Sequence, residues 1–488
     1  MNYIDFMNMQ PEFVLVLGLI IVFFADFFAH RNAERKQSLW MLTFFMLLMT
    51  LSNCLVHNEP TSAFGGIYVT SDAVNVMKAI LTFGTLIVVI MSQSWVETQQ
   101  RIAGEFYMLM MSTLLGMFMM ISSGSFLMFF LGLEMASVPL ACMVAFDRHR
   151  RDSAEGAAKY ILMATFSSGV MLFGISFIYA ATGSLYFDNV ANAVGHYAAA
   201  FDGMHSPTAL LVMGLVFFFA GLGFKLSLVP FHFWTADTYQ GAPTPVTGYL
   251  SVISKGAAAL TLAIILMKAL APMAAYWELM LDVVIVVTIT VGNLFAIRQS
   301  DLKRFMAFSS ISQAGYIMLA VLGNSQMGIA ALTYYVLVYV AANLAVFTVI
   351  NVVEQRSELG RQPAIADLNG FYQTNPKLSF LLTLALFSLA GIPPFAGMFS
   401  KFLVFMAAAE QGSFAAYFVV FIALINTVVS LYYYLLIVKA MYITKTDSPL
   451  ATFRSDEATR IALGVCTVGV ALFGVCSCVF DWIAAAAL

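Results

Sequence analysis

The sequence is poor in charged residues. Asp, Glu, Lys and Arg make up 10% of its 488 residues, whereas hydrophobic residues make up 61%. Because a soluble globular protein is about one half apolar, this composition excludes that class. We therefore predict an all-α polytopic membrane protein, embedded in the lipid bilayer, with residues 1–488 forming a single membrane domain.

Cysteine is also scarce, with five residues in the whole chain. Their spacing includes no Cys-x-x-Cys pair and no run typical of an iron-sulfur cluster. The pair at 476 and 478 is a weak candidate for a metal, and we favour free thiols buried within the spans. We predict no metal site and no cofactor in this chain. The cysteines are Cys54, Cys142, Cys466, Cys476 and Cys478.

Two targeting or binding signals are missing as well. Residues 1–13 contain no basic residue and no small-residue cleavage site, so we interpret the first apolar run as a retained helix rather than a signal peptide. The basic run at 147–151 is short, and charges of this kind orient a loop between two spans. We therefore predict no nucleic-acid partner.

Long apolar runs dominate the rest of the chain. Runs of about 20 residues are needed to cross the hydrocarbon core as helices, and the sequence contains fourteen candidates. They lie at 11–29, 39–56, 75–95, 105–123, 125–146, 159–182, 208–234, 244–269, 276–297, 302–322, 328–353, 378–409, 413–443 and 459–481.

The basic residues support this count and predict an orientation. Of the 23 Lys and Arg residues, 17 flank span ends on one side if the spans alternate in direction, and Lys78 and Lys268 flank the other side. The positive-inside rule then places both termini on the outer side of the membrane. The 17 residues are Arg31, Arg35, Lys36, Arg101, Arg148, Arg150, Arg151, Lys159, Arg298, Lys303, Arg304, Arg356, Arg361, Lys377, Lys445, Arg454 and Arg460.

Four ionisable residues lie deep within the predicted spans: Glu134, Lys225, Lys255 and Lys401. A charge at the centre of a bilayer costs about 2.5 to 3.5 kcal/mol on insertion scales, so such residues are usually functional. The alternative for each is a structural ion pair or a side chain that reaches the interface. Lys439 lies near the end of its span, and we expect it to extend to the interface.

Prolines interrupt two of the spans. Pro230 lies in the seventh, and residues 391–397 of the twelfth read GIPPFAG. Because proline removes a backbone donor, each helix should break there, and broken helices at membrane depth line cavities. The two breaks are five spans apart, so we predict two inverted five-helix repeats, spans 4–8 (105–269) and spans 9–13 (276–443).

Four segments now carry a family resemblance. Residues 223–245 (GFKLSLVPFHFWTADTYQGAPTP), followed by Ser254 and Lys255, resemble a signature of the antiporter-like membrane subunits of respiratory complex I. Residues 129–134 (FFLGLE), 309–316 (SSISQAGY) and 388–401 (SLAGIPPFAGMFSK) resemble the same family. Lys401 lies in the twelfth span, where some subunit types of this family have lysine and another has glutamate. The lysine therefore favours the first group.

The resemblance implies a function and a set of partners. Members translocate protons while partner subunits, which hold FMN, iron-sulfur clusters and quinone, oxidise NADH and reduce quinone. The expected partners are the other membrane and peripheral subunits of complex I. Two relatives of the same fold stay open as alternatives, the sodium/proton antiporter subunits of Mrp type and the membrane-bound hydrogenase subunits. A scaffold without transport is a third.

By the same resemblance, Glu134 pairs with Lys225, Lys255 is the central relay, and Lys401 passes the proton to the outer half-channel. Burial disfavours a protonated lysine and a nearby carboxylate favours it, so making and breaking one ion pair can move a proton. His232 follows the seventh-span break and has a side chain suited to a relay, although a role in capping the broken helix is equally open. Tyr432, Tyr433 and Tyr434 are interpreted as packing residues that could also support a water wire.

These assignments predict that Lys225→Arg stops proton translocation, because arginine keeps its charge and does not release its proton near neutral pH. The measurement is the pH gradient formed by membrane vesicles that contain the chain with its partners. A normal gradient in the variant would show that Lys225 does not deprotonate during transport.

Overall fold

The computed structural model of the chain describes residues 9–29, 34–56, 60–98, 103–198, 207–356, 362–453 and 455–487. Nearly all of them are helical, which confirms the all-α prediction. The helices are α1 (Gln10–Ala29), α2 (Glu34–Cys54), α3 (Asp72–Thr98), α4 (Ala103–Ile121), α5 (Phe126–Val144), α6 (Arg151–Thr182), α7 (Phe187–Ala198), α8 (Pro207–Leu226), α9 (Trp234–Gly241), α10 (Thr244–Met267), α11 (Ala274–Ile297), α12 (Leu302–Leu322), α13 (Gln326–Arg356), α14 (Pro376–Ala390), α15 (Ala396–Ala409), α16 (Phe414–Tyr442), α17 (Glu457–Val475) and α18 (Cys478–Ala487).

Hydrocarbon offers no partners to a peptide group, so an apolar run satisfies its own N–H and C=O groups by forming a helix. Within the described residues, twelve helices are long and apolar enough to cross a membrane. Each predicted run coincides with one helix or with a consecutive pair. The second run falls on α2, whose apolar part is Leu39–Cys54, and the twelfth falls on α14 and α15. A count of fourteen crossings and the inverted repeats stay predictions.

The breaks in the seventh and twelfth runs are confirmed. Helix α8 ends at Leu226 and α9 begins at Trp234, and the peptide bond before Pro230 is cis. Helix α14 ends at Ala390, and Gly391 follows it with φ at 88°. A positive φ of this size is one that glycine adopts without strain, so Gly391 suits the end of this helix.

Four helices of the described chain form the centre of the bundle. The membrane-crossing parts of α12 and α13 are buried throughout, and those of α3 and α10 are nearly so. Helix α13 packs against α10, α14, α15, α17 and α3. Peripheral helices instead expose large apolar side chains, such as Phe27, Phe166 and Phe414, where lipid would cover them. The buried centre holds Lys255, and α15 carries Lys401 against it.

One end of the bundle is closed by a small hairpin of β1 (Thr61–Ala63) and β2 (Tyr68–Thr70), which pair antiparallel. Lys268, at the end of α10, lines the same cavity of this end as Ser62 and Gly66 of the hairpin segment. We call this end of the bundle the hairpin end.

Lys78 lies near the start of α3 beside the hairpin, at the same end as Lys268, but it is enclosed by protein rather than exposed at that end. Lys78 is fully buried in α3, and its Nζ lies 2.6 Å from Oε1 of the buried Glu12 in α1. The ammonium group also donates to Tyr68 Oη (3.0 Å), and that hydroxyl donates to Glu12 Oε2 (3.2 Å). This ion pair ties α1 to α3 and to the hairpin.

Basic residues gather at the opposite end, which we call the basic end. Arg150, Lys159, Lys303, Arg304 and Arg356 each pair there with an acidic residue of another segment. Their clustering agrees with the predicted asymmetry of charge. Among the 17 flanking residues, Arg31, Arg101, Arg361 and Arg454 lie outside the described residues.

The cysteines follow the prediction in part. Cys54 and Cys466 are buried, as expected for structural thiols. Cys142 and Cys478 are exposed and Cys476 is half-buried, so burial of all five was wrong. All three face outward from a protein whose outward faces are largely apolar.

The Glu12 and Lys78 pair generates a stability prediction. Breaking a buried pair by removing one charge costs about 3 to 5 kcal/mol, whereas replacing both charges is often neutral. We expect Glu12→Gln to lower the free energy of unfolding by that amount, and the double variant with Lys78→Met to recover most of it. Thermal unfolding in detergent measures both.

Asp456→Asn provides the matched control. Asp456 pairs with Arg356 at the surface, where both side chains are 40% or more exposed. Loss of such a pair costs about 0 to 1 kcal/mol. Equal losses in Glu12→Gln and Asp456→Asn would contradict a stabilising role for the buried pair.

Candidate functional site

Lys225 lies in the last turn of α8, immediately before the first break, and is buried. Its Nζ donates to Ser137 Oγ of α5 (2.8 Å) and to Tyr160 Oη of α6 (3.2 Å). At the break, the carbonyl of Phe224 accepts hydrogen bonds from the Ser227 amide (2.9 Å) and from Trp234 Nε1 (3.0 Å). Trp234 therefore attaches the start of α9 to the end of α8 that carries Lys225.

Glu134 lies on α5, one turn before Ser137, and is half-buried. Ser168 Oγ of α6 donates a hydrogen bond of 2.5 Å to Glu134 Oε1. The implied direct contact is not formed, because across the described chain no ion pair within 4.0 Å joins Glu134 to Lys225. Lys225 contacts the same helix through Ser137 instead.

Lys255 lies in the middle of α10 and is 1% exposed. Its Nζ donates to Ser310 Oγ (2.8 Å) and approaches the Ser310 carbonyl oxygen (3.4 Å) on α12. The ring of Tyr239 lies 5.6 Å from the same nitrogen, and Tyr239 Oη is 3.4 Å from Ser310 Oγ. Tyr239 belongs to α9, so the segment after the first break reaches both lysines.

Lys401 lies on α15, after the second break. Its Nζ donates to the carbonyl of Ala390 (3.1 Å), the last residue of α14, and lies 4.9 Å from the centre of the Tyr316 ring. A Cβ atom on Gly391 would approach Lys401 Cδ to 3.1 Å, so the glycine also leaves room for the lysine. The second break thus supplies this ammonium group with its oxygen.

The three lysines share one kind of environment. Each ammonium group is buried, bonds to neutral oxygen atoms and faces an aromatic ring, which stabilises a cation through its π electrons. No carboxylate of the described residues forms an ion pair with any of them. A buried charge is usually paired, so an environment of neutral oxygen atoms and aromatic rings sets these three lysines apart.

Helix α12 connects two of these sites, a role that the sequence reasoning missed. Ser310 contacts Lys255, and the neighbouring Ser309 Oγ lies 2.5 Å from Tyr434 Oη. One turn further on, Gln313 Nε2 donates to Tyr434 Oη (3.2 Å) and to the carbonyl of Leu389 (3.3 Å) at the second break. In the sequence, the run SSISQ at 309–313 indicated only the family resemblance. Several polar residues inside an apolar span also indicate polar contacts with neighbouring helices.

Small polar side chains also surround Lys401. Gln313, Tyr335, Tyr339 and Ser400 line a cavity with it that has room for about one water molecule. Tyr335 Oη donates to Gln313 Oε1.

Tyr433 and Tyr434, which were interpreted as packing residues, both make polar contacts. Tyr433 Oη donates to Asn293 Oδ1 (3.0 Å), and Tyr434 contacts Ser309 and Gln313, so packing alone does not describe either residue.

His232 lies in the segment between α8 and α9 and is 8% exposed. Its ring is 4.5 Å from that of Phe233, and its Nδ1 has no hydrogen-bond partner in the described part of the chain. The backbone carbonyl of His232 accepts from the Thr235 amide at 3.0 Å, so the main chain caps α9. A relay role for the side chain stays a prediction.

Further buried charges lie at the basic end. Lys303 Nζ is fully buried and lies 3.1 Å from Glu354, and Arg150 Nη1 lies 2.7 Å from the same carboxylate. Glu12 and Glu354 lie near span ends rather than at their middles, but both are enclosed by neighbouring helices and paired with cations. Sequence distance from a span end did not reveal pairs formed across several helices.

Asp237 of α9 forms a second cluster at this end. Lys159 Nζ and Arg304 Nη1 each lie 2.7 Å from its carboxylate oxygens. Burial raises the pKa of the Asp237 carboxyl, but the hydrogen bonds from these two cations outweigh it and lower the pKa below its usual value. Asp237 therefore fixes α9 between α6 and α12.

Comparisons with known proteins agree with this architecture. A family model described as NADH:quinone oxidoreductase/Mrp antiporter, TM, matches residues 123–430. NADH-quinone oxidoreductase subunit N of Phocaeicola vulgatus is 52% identical over 488 residues, covering 99% of this chain and 98% of that protein. The protein of the same name from Rhodospirillum rubrum is 34% identical over 481 residues, covering 98% and 96%.

Solved structures resemble the fold along its whole length. A chain of respiratory complex I from Thermus thermophilus is 28% identical, with a TM-score of 0.78, covering 95% of this chain and 97% of that one. A chain of the Mrp complex from a Dietzia species has a TM-score of 0.83 at 19% identity, covering 98% and 96%. The second likeness is one of fold.

The contact between Lys255 and Ser310 generates a prediction. A hydrogen bond to a charged group contributes about 1.5 to 3 kcal/mol, so Ser310→Ala should lower the free energy of unfolding by that amount. The matched control is Ser379→Ala, because Ser379 is equally buried and donates to the carbonyl of Asn375, one turn away. Thermal unfolding in detergent compares them, and equal losses would show that Ser310 does not stabilise Lys255.

Proposed function

This chain belongs to the NADH:quinone oxidoreductase/Mrp antiporter transmembrane family, and within it we propose that the chain is a proton-translocating membrane subunit of a bacterial NADH:quinone oxidoreductase. The type is the one called subunit N in its relatives. Proton transfer through this chain is coupled to NADH oxidation and quinone reduction in partner subunits.

The observation that carries the proposal is the set of three buried lysines without carboxylate partners. Lys225, Lys255 and Lys401 each rest on neutral oxygen atoms, and two of them adjoin helix breaks. A lysine can both hold and release a proton, and its balance shifts when a charged group approaches or leaves. For proton transfer, each site needs only to bind a proton and to release it.

The order of the sites follows from the contacts. Tyr239 of α9 contacts Ser310 beside Lys255, while Trp234 of the same short helix packs against Tyr160, which accepts a hydrogen bond from Lys225. Helix α12 then leads from Ser310 to Gln313, which lines the cavity beside Lys401. We propose that protons pass among these sites in chain order, with Glu134 adjusting the charge near Lys225.

The free energy available from one lysine can be compared with the work of moving a proton across the membrane. Moving one elementary charge across 100 mV costs about 2.3 kcal/mol. A change of about two pK units in one lysine corresponds to about 2.7 kcal/mol. Alternation of a single buried lysine between two environments is therefore of the right magnitude to work against a membrane potential.

The redox centres are assigned to partners. We propose that FMN, iron-sulfur clusters, quinone and NADH bind to other membrane and peripheral subunits, and that this chain carries none of them. The membrane is the bacterial inner membrane, with the basic end toward the cytoplasm and both termini toward the periplasm, as the distribution of Lys and Arg favours.

Exchange of sodium for protons is supported less well. Sodium is a hard cation and prefers carboxylate and carbonyl ligands, which suit hard cations generally. The buried carboxylates Glu12 and Glu354 are already paired with lysine or arginine. The family model covers both classes, and the likeness to the chain of the solved Mrp complex, at 19% identity, is one of fold.

We expect Lys401→Ala to abolish proton translocation or reduce it strongly, because the site between α14 and the cavity loses its proton carrier. The matched control is Lys439→Ala, since Lys439 is exposed near the end of α16. Translocation is measured as the pH gradient formed per NADH oxidised by inverted membrane vesicles. An unchanged ratio in Lys401→Ala would overturn the proposed function.

Purification of the native complex tests the partner assignment separately. We expect NADH-oxidising peripheral subunits to accompany the chain. Recovery of an active sodium/proton exchanger without them would support the antiporter alternative instead.

A further inference from the structure

We propose that Glu354 and a row of hydroxyl groups along α10 form a proton-uptake path from the basic end directly to Lys255. This inference rests on the proposed function and adds to it the route by which protons reach the central lysine. It does not require passage through Lys225.

The path begins at a carboxylate held by four segments. Glu354, near the end of α13, is 19% exposed and contacts Arg150 of the segment before α6 and Lys303 of α12. The hydroxyl of Thr244, at the start of α10, donates to Glu354 Oε2. Glu354 therefore touches both the surface of the basic end and the first residue of the helix that carries Lys255.

The row itself consists of Thr244, Thr247 and Ser251, followed by Lys255. All four are buried, at 2%, 0%, 0% and 1% exposure. Their spacing of three, four and four residues places them on one face of α10. With a rise of 1.5 Å per residue, the row covers about 16 Å, and neighbouring side chains start about 5 to 6 Å apart.

The Thr247 hydroxyl donates to the carbonyl of Tyr239 (3.0 Å), and the Ser251 hydroxyl donates to the carbonyl of Gly248 (2.7 Å). Passage of a proton along the row therefore requires each hydroxyl to rotate away from its carbonyl and a water molecule to bridge each gap.

The far end of the row joins the Lys255 site. Asn343 Nδ2 of α13 donates to Ser251 Oγ at 2.5 Å, and Ser310 Oγ approaches the Ser251 carbonyl oxygen at 3.2 Å. Ser310 in turn accepts from Lys255. Asn343 Oδ1 is buried and accepts no hydrogen bond within the described residues, which is the kind of group that binds an internal water.

The chemistry of the row suits proton transfer. A hydroxyl group donates one hydrogen bond and accepts others, so a chain of hydroxyls can pass a proton by exchanging O–H bonds. Glu354 takes a proton from the aqueous phase, its O–H bond breaks as the proton enters the row, and a new N–H bond forms on neutral Lys255. No atom is consumed, and one positive charge moves inward.

The neighbouring cations explain why Glu354 does not trap the proton. Lys303 and Arg150 favour the ionised carboxylate, so a protonated Glu354 tends to release its proton again. Arg150 is 30% exposed and lies at the outer face of the cluster, whereas Lys303 is fully buried and also donates to the carbonyl of Ala242 at 3.1 Å. The carboxylate is thus positioned as a proton donor to the row.

Two matched substitutions at one position test the path. Thr247→Val removes the hydroxyl at nearly constant volume, whereas Thr247→Ser keeps it. We expect Thr247→Val to slow proton translocation about a hundredfold, the lower end of the effect of losing a positioned proton-transfer group, and Thr247→Ser to restore most of the rate. The assay uses inverted vesicles with the assembled complex, measuring the pH gradient and NADH oxidation together.

The control is Thr261→Val on the same helix. Thr261 is 1% exposed and donates to the carbonyl of Ala257 at 2.8 Å, but it lies beyond Lys255, outside the row. The Thr261→Val variant should translocate protons at a rate near that of the unmodified protein. Glu354→Gln should slow translocation as Thr247→Val does, and Asp456→Asn controls for loss of an ion pair at the same end.

The results of these variants either support the hydroxyl row as a proton path or contradict it. If Thr247→Val and Thr247→Ser behave alike, or if Thr261→Val slows translocation equally, the hydroxyl row does not carry protons. If Glu354→Gln fails to assemble, the Thr247 variants still decide. If Lys401→Ala stops translocation while Thr247→Val and Glu354→Gln translocate normally, the proposed function stands and this path is wrong.

Discussion

The central constraint on this protein is the need to surround a buried ammonium group with oxygen. A helix uses nearly all its carbonyl groups internally, so a lysine inside a bundle of apolar helices finds few acceptors in the main chain. The structure meets this need in two ways. At Lys401 a helix ends early and offers the carbonyl of Ala390, and at Lys225 and Lys255 serine and tyrosine side chains supply hydroxyl oxygens.

The same constraint gives the two breaks different roles. After α14 the main chain itself solvates a lysine, and Gly391 makes room for that contact. After α8 the carbonyl of Phe224 goes to Trp234 rather than to Lys225, and the segment that follows places Tyr239 beside Lys255. One break therefore completes a site, while the other links two sites through α9.

The sequence was most informative where local chemistry dominates. Proline removes a backbone donor, so the breaks at Pro230 and at the double proline 393–394 could be predicted, whereas Pro139 lies inside α5 without ending it. The depth of Lys225, Lys255 and Lys401 followed from the apolar runs around them. Contacts between distant segments could not be read in this way. Lys78 lies near a span end in sequence, but the hairpin and α1 enclose it, and Glu354 meets Thr244 across 110 residues.

The polar role of α12 shows a different limit. Serine and glutamine are common packing residues in membrane helices, because their hydroxyl and amide groups can bond to neighbouring helices. The run at 309–313 therefore had no distinctive chemistry until Lys255 and Tyr434 were placed beside it. Glu134 and Lys225 illustrate the converse, since residues assigned to each other by resemblance here bind Ser168 and Ser137.

Helix α13 has a mechanical consequence. Between Tyr335 and Glu354 it contains neither proline nor glycine, so it is a stiff rod of about 28 Å over this stretch. One end is clamped by Arg150 and Lys303, its middle holds Ser251 through Asn343, and Tyr335 and Tyr339 line the cavity beside Lys401. A small movement of this helix along its axis would change the surroundings of Lys255 and Lys401 together. Proton transfer at the two lysines would then be mechanically coupled.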